Sequence, residues 1–313
     1  MTTTFEAAEG IRAIDSMMCG REMVTSCYLV QADEPALVET GPTTSVETVR
    51  RGLEALGIGP EDLAHIVVTH IHLDHAGGAG ALAPHFPRAT VWVHERGEPH
   101  LADPTKLVAS ATRVYGEEAL NAMFGPVHPV PRERLRAIGD GDRVELGGRT
   151  LEVLYTPGHA SHHVALLDSR SGGVFVGDAL GVFLPDVAVL RPATPPPEFD
   201  LPLAVQSIER IRDRQPTSIL FSHFGPVRQV EEICGRAIDR MGSWASFVEE
   251  ALEHTTELPG VVERLRAAAE DDLDEVPPGR REAVLDRLEV LSSYEMNAMG
   301  LMRFIQKGSG QGG

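Results

Sequence analysis

Apolar residues recur at alternate positions in short runs up to about residue 228, and at helical spacing beyond it. Residues 24–30 (Val-Thr-Ser-Cys-Tyr-Leu-Val) and 36–39 (Ala-Leu-Val-Glu) predict a pair of strands, and Thr40-Gly41-Pro42 turns the chain after them. Val46, Val49, Leu53 and Leu56 then share one stripe, which predicts a helix over 44–57 that stops at Gly57. A strand over 64–70, a helix opening at Gly77 and running to Leu82, and a strand over 90–94 follow.

Residues 96–137 break this rhythm. Leu107, Ala111, Val114 and Leu120 recur at helical spacing, punctuated by Pro104, Pro126, Pro129 and Pro131, which predicts a helical insertion. Strands are expected again at 143–146, 150–155, 163–167 and 174–177, and a further strand at 218–221 follows a helix over 202–214. The proline-rich stretch from Arg191 to Glu198 reads as a stiff loop. After residue 228 three amphipathic helices are expected, over 229–256, 259–271 and 279–306, and residues 308–313 read as a flexible tail. The expected organisation is a main domain over 1–228, a helical region over 229–307 and the tail.

Charge narrows the range of partners. The chain carries 46 Asp+Glu against 28 Lys+Arg, a formal charge of −18. Such a surface repels phosphate backbones, and the most basic stretches, Arg132–Arg136 and Arg280-Arg281, are short and sit among acids. Nucleic acid is therefore not an expected partner. No run approaches the roughly 18 apolar residues of a membrane span. The start, Met-Thr-Thr-Thr-Phe-Glu-Ala, lacks a basic stretch followed by an apolar core, so the expected location is cytoplasmic. Cys19, Cys27 and Cys234 match no disulfide or zinc-ribbon spacing and read as buried small hydrophobes.

The chemistry concentrates at residues 69–78, T-H-I-H-L-D-H-A-G-G, where His70, His72, Asp74 and His75 crowd into six positions after an apolar run. Alternate side chains of a strand share a face, so His70 and His72 can converge as the strand ends. Imidazole and carboxylate are the donors that hold zinc, iron or manganese, whereas a solvated loop has no reason to space histidines this way. One loop cannot enclose an ion. Three further candidates each follow an apolar strand: His159 after L-E-V-L-Y-T-P-G, Asp178 ending V-F-V-G-D, and His223 ending I-L-F-S-H.

These residues, T-H-I-H-L-D-H (69–75), T-P-G-H (156–159), G-D (177–178) and S-H (222–223), resemble the motifs of the metallo-β-lactamase superfamily. The V-E-T-G at 38–41 is similar to the family's V-D-T-G turn, with Glu39 in place of the usual aspartate. The likeness covers roughly residues 10–228. It implies an α+β fold, a four-layer αββα sandwich, here with a helical insertion (about 96–137) and a C-terminal helical extension. It also implies that His70, His72 and His159 hold one divalent ion and Asp74, His75 and His223 a second, with Asp178 bridging both. Zinc is the first expectation, with iron or manganese as alternatives.

Two ions about 3.5–4 Å apart can share a water and bring its pKa toward about 7, which supplies hydroxide and needs no serine or cysteine nucleophile. Asp74 would hold the second ion and act as the catalytic residue that orients the hydroxide or passes a proton. The expected activity is hydrolysis of an ester-type bond, thioester or lactone, of a small molecule, as in glyoxalase II-like and lactonase-like members. Arg113, Tyr115, His163 and Arg191 are the candidate substrate-binding residues, drawn from 96–137, the strand start at 163 and the loop 181–197. Thr69, Thr156 and Ser222 are candidates to support the ligands. Alternative readings are a mononuclear-iron persulfide dioxygenase, a phosphodiesterase, and a non-catalytic partner-binding protein that works through its C-terminal helices. A homodimer formed by those helices is a further possibility.

Overall fold

The computed structural model describes residues 3–274 and 276–309, which fall into two compact units. The first comprises the chain up to Tyr155 together with His162–Gly177 and Pro216–Pro226. The second comprises Thr156–Ser161, Asp178–Gln215 and the chain from Val227 on.

The first unit is built on two sheets. Strands β1 (Thr4–Ala8), β2 (Ile11–Asp15), β3 (Ser26–Val30), β4 (Ala36–Val38), β5 (His65–Val67), β6 (Thr90–His94) and β7 (Leu135–Ile138) pair in that order. Pairing is antiparallel from β1 to β4 and parallel from β4 to β7. The second sheet contains β8 (Arg143–Glu145), β9 (Thr150–Tyr155), β10 (Val164–Asp168) and β11 (Gly173–Gly177). The hairpin β12 (Val182–Leu184) and β13 (Val189–Arg191) comes next in the chain and belongs to the second unit. Strands β14 (Ser218–Phe221) and β15 (Gly225–Val227) then complete the second sheet, with β14 parallel to β11.

The period-2 pattern explains the layering. Ile14, Cys27, Leu29, Leu37 and Ile66 face one way and bury against Val46, Val49 and Leu53 of helix Val46–Ala55. Their neighbours Ala13, Tyr28, Val30, Val38 and Val67 face the other way and pack on Leu151, Val153, Leu166, Phe175 and Leu220 of the second sheet. These central strands are thus apolar on both faces, as strands buried between two layers must be.

Arg149 ties the two sheets at the end of the sandwich near the β1–β2 turn. It is 1% exposed and grips Asp168 through Nε (2.6 Å) and Nη2 (2.8 Å). Its other hydrogens go to the carbonyls of Glu9, Gly10 and Gln31 at 2.9–3.1 Å.

The parallel registers position the opposite edge. Val38 pairs with Val67, so Glu39 and the segment Val68–His70 leave the first sheet side by side. Gly177 pairs with Phe221, so Ser222 and His223 leave the second sheet beside Gly177. A strand end is where backbone pairing stops and side chains become free to converge.

In the second unit Val182, Leu184 and Val189 of the hairpin pack on Leu273, Val276, Val284 and Leu288. Helix Leu201–Asp213 is N-capped by Asp200, whose Oδ1 accepts from the Leu203 N–H at 3.1 Å. Helices Val230–Leu252, Leu258–Ala268, Arg281–Leu291 and Tyr294–Ser309 follow.

Several elements differ from the sequence reading. The end of the stretch read as a helical insertion forms β7, an edge strand whose middle residues Arg136 and Ala137 are exposed. The loop expected at 181–197 contains the β12–β13 hairpin, and Arg191 is strand rather than loop. The helix expected over 279–306 is two helices. Ser292 breaks it with an extended φ of −153°, and Ser293 Oγ accepts from the Met296 N–H to start the next. That helix continues to Ser309, so residues 308 and 309 of the expected tail are helical, and residues 310–313 lie outside the described residues. Cys27 and Cys234 are buried as expected, but Cys19 is exposed. No described helix is long and apolar enough to cross a membrane.

Candidate metal centre

In the first unit the motif T-H-I-H-L-D-H runs off β5 into the short helix Leu73–Ala76. Leaving strand geometry at His72 (φ −60°, ψ 152°) and entering a helix at Leu73 gathers His70, His72, Asp74 and His75 at one edge. The two glycines that follow fit tight spots. A Cβ on Gly78 would stand 2.9 Å from Gly41 O, and one on Gly77 would overlap Leu73 O. The Gly78 N–H donates to Gly41 O at 2.8 Å, which fastens the motif to the turn after β4.

The hydrogen bonds on each Nδ1 decide which ring nitrogen is free to bind. A neutral imidazole carries one N–H, and an acceptor-only partner takes it. His75 Nδ1 lies 3.2 Å from Glu39 Oε1, and His223 Nδ1 lies 2.9 Å from Val24 O. A neutral ring in either setting carries its proton on Nδ1 and presents the Nε2 lone pair. These two Nε2 atoms stand 3.1 Å apart, and Asp74 Oδ2 lies 3.3 Å from the one and 3.5 Å from the other. Three lone pairs thus face one another, a repulsion that a proton on one ring or a cation in the middle relieves. Two nitrogens at 2.0–2.1 Å from one tetrahedral zinc lie about 3.3 Å apart, which these separations bracket. The donor set fits a divalent ion.

His70 follows the same logic. Its Nδ1 lies 3.0 Å from Thr69 Oγ1, whose own proton goes to Glu39 Oε1 at 2.5 Å. Thr69 must then accept from His70, which leaves His70 Nε2 bare and 3.0 Å from His72 Nδ1. His70, His75 and His223 are fully buried, His72 is half-buried, and the Asp74 side chain is 20% exposed. Asp74 is the donor of its trio that opens to solvent.

Glu39 underlies this network and is 0% exposed. Its carboxylate accepts from Thr69 Oγ1, the Thr69 N–H, Ser222 Oγ and His75 Nδ1. Its backbone is left-handed (φ 65°), a conformation that costs a non-glycine residue of order 1 kcal/mol and is held by the Glu39 N–H to Val67 O bond at 3.0 Å. Thr69 and Ser222, expected as ligand supports, both donate to this carboxylate. The place of Glu39 in this network was not legible in the sequence. The one signal for it is an acid in the V-E-T-G turn directly after a fully buried strand.

In the second unit His159 and Asp178 are 4% and 6% exposed. His159 Nδ1 donates to Ala193 O at 2.9 Å, so its Nε2 is bare and lies 3.5 Å from Asp178 Oδ2. The preceding Gly158 (φ 127°) has no room for a Cβ, which would overlap Ala204 at the start of helix Leu201–Asp213. Pro157 O accepts from Ser207 Oγ of the same helix at 2.5 Å.

The substrate candidates lie in different settings. Arg113 is exposed and Tyr115 half-buried on helix Thr105–Tyr115, with the Tyr115 ring edge-on to Phe124 at 5.2 Å. His163 is fully buried, its ring 4.9 Å from that of His70. Arg191 is 1% exposed, bonds Glu289 Oε1 at 3.0 Å and stacks on Tyr294 at 4.2 Å.

The family model described as metallo-beta-lactamase superfamily matches residues 20–223. A metallo-beta-lactamase fold-containing protein of Sulfurisphaera tokodaii is 29% identical over 171 residues, 53% of this chain and 62% of that protein. An N-acyl homoserine lactonase of Bacillus cereus is 28% identical over 225 residues, 63% of this chain and 80% of the lactonase. A hydroxyacylglutathione hydrolase of a Synechococcus strain is 31% identical over 153 residues, 49% of this chain and 48% of the hydrolase. Among solved structures, an archaeal metallo-beta-lactamase superfamily protein from Sulfolobus tokodaii shares the fold. Its TM-score is 0.66 at 23% identity, covering 93% of this chain and 98% of that one. With the motifs, the mixed α+β fold and a family model spanning most of the chain in agreement, this protein belongs to the metallo-beta-lactamase superfamily.

Proposed function

We propose that the protein is a metal-dependent hydrolase that cleaves an ester-type bond, thioester or lactone, of a small molecule. In this reading His70, His72 and His159 hold one divalent ion, Asp74, His75 and His223 a second, and Asp178 serves both. The observation that carries the reading is the self-repelling trio of His75 Nε2, His223 Nε2 and Asp74 Oδ2 at 3.1–3.5 Å. Such ions, zinc by preference for this nitrogen-rich donor set, supply hydroxide at neutral pH and polarise the carbonyl that it attacks.

The chain's own residues do the rest. Asp74, whose side chain is partly exposed, has a second carboxylate oxygen to orient the nucleophile and carry a proton to the leaving group. Glu39 keeps the His75 proton on Nδ1, and Val24 O and Ala193 O do the same for His223 and His159. Arg113 and Tyr115 are the residues proposed to meet substrate, while His163 and Arg191, buried against protein groups, brace the site.

The −18 charge opposes polyanionic substrates, and the lactonase and hydroxyacylglutathione hydrolase likenesses support a carbonyl substrate. The test is a panel of thioesters, lactones and phosphodiesters offered to zinc-loaded protein. Turnover of a thioester or lactone is expected. Turnover of phosphodiesters alone, or oxygen uptake by protein holding one iron per chain, contradicts the reading.

Glu39→Gln keeps the size of the buried side chain but removes its charge and one acceptor. Zinc affinity is expected to fall about 10–100-fold, the usual consequence of altering a group that orients a ligand. Affinity equal to the parent's, measured by chelator competition, would remove Glu39 from that role.

A further inference from the structure

The C-terminal helices lie outside the matched residues 20–223, yet one of them reaches the backbone that orients His159. Ala193 O and the Thr194 N–H belong to one peptide group, which is planar and trans, so its carbonyl and N–H point in opposite directions. On one side Ala193 O accepts from His159 Nδ1 at 2.9 Å. On the other the Thr194 N–H donates to Asn297 Oδ1 at 2.8 Å, and Thr194 Oγ1 donates to the same oxygen at 2.7 Å. A single rigid plane therefore connects the Asn297 amide with the His159 imidazole.

Asn297 is itself fixed. It is 1% exposed, and its Nδ2 donates to Ser292 Oγ at 2.7 Å and to Ser293 O at 2.9 Å. The rest of the 192–197 segment is fastened by the same part of the chain. Ser292 Oγ donates to Pro192 O, and Arg303 Nε donates to Pro197 O at 3.1 Å. Gly300 packs so closely on Thr194 O that a Cβ there would overlap it. Contacts from four residues, Ser292, Asn297, Gly300 and Arg303, on one short loop exceed what covering an apolar face requires. Three of these residues lie at spacings of three along helix Tyr294–Ser309, so they share one face.

We infer that Asn297 is a positioning residue. Acting through the Ala193–Thr194 peptide, it sets the tautomer and orientation of His159, and helix Tyr294–Ser309 thereby forms part of the metal centre. This inference rests on the proposed role of His159 as a ligand, but its first test does not require metal. In metal-free protein the His159 Nδ1–H is observed by nitrogen-15 NMR and its exchange with solvent is timed, with the His223 Nδ1–H, held by Val24 O in the other unit, as internal reference.

Asn297→Ala is expected to speed exchange at His159 about tenfold and leave His223 unchanged. With zinc, one of two dissociation constants should rise about tenfold. The inference is overturned if exchange at His159 in Asn297→Ala matches the parent, or if His159 and His223 accelerate together, as in general loosening. A parent protein that binds no zinc would end the hydrolase reading, while the metal-free exchange result would still decide the role of Asn297.

Discussion

His72→Ala is expected to lower kcat/KM by more than about 100-fold, because groups that merely orient a ligand already account for 10–100-fold. His72 occupies extended backbone that alanine adopts freely, and its ring is half-buried, so little packing is lost. The variant should fold with its C-terminal helices intact by circular dichroism and should hold less metal than the parent. Hydrolysis at the parental rate would show that His72 is not a ligand. The contrast of a silent folding readout with a collapsed activity separates loss of a ligand from loss of structure.

The largest effect on stability is expected at Arg149. Arg149→Ala leaves the Asp168 carboxylate buried without its bidentate partner and removes the donor from three backbone carbonyls. Breaking a buried pair from one side costs about 3–5 kcal/mol, whereas replacing both members with apolar residues costs much less. Urea unfolding of Arg149→Ala, Asp168→Leu and the double variant Arg149→Leu/Asp168→Leu tests this. The double variant should be more stable than Arg149→Ala. If Arg149→Ala unfolds within about 1 kcal/mol of the parent, the clamp is no more than a surface-type ion pair.

The alternation of apolar and polar positions was enough to locate β3, β4, β6, β9, β10, β11 and β14, because these strands are long or apolar on both faces. The site motif was equally legible, since closely spaced histidines have no packing explanation. What escaped depends on partners distant in sequence. Arg149 meets Gly10 across 139 positions, and Asn297 meets Thr194 across 103, and nothing local marks either as buried. The break at Ser292 was hidden because apolar spacing continues through it, although the serine side chains divert to Pro192 O and the Met296 N–H. The hairpin of Val182–Leu184 with Val189–Arg191 was obscured by the prolines that follow it, which suggested a loop throughout.

Glu39 marks the boundary of what sequence discloses. Its place after a strand was visible, but its left-handed backbone and its two bonds from Thr69 come from β4 and β5 ending in register, and its bonds from His75 and Ser222 come from elements further along the chain. The same registration brings Thr69 and His70 beside it. Geometry of this kind belongs to the sheet rather than to any short stretch of residues.

The central claim is that seven side chains hold two divalent ions. Elemental analysis of the full chain after dialysis against excess zinc and removal of loosely bound ions tests it most directly. The account predicts two ions per chain, falling below two in His72→Ala. Parent protein that emerges with no bound transition ion would contradict it.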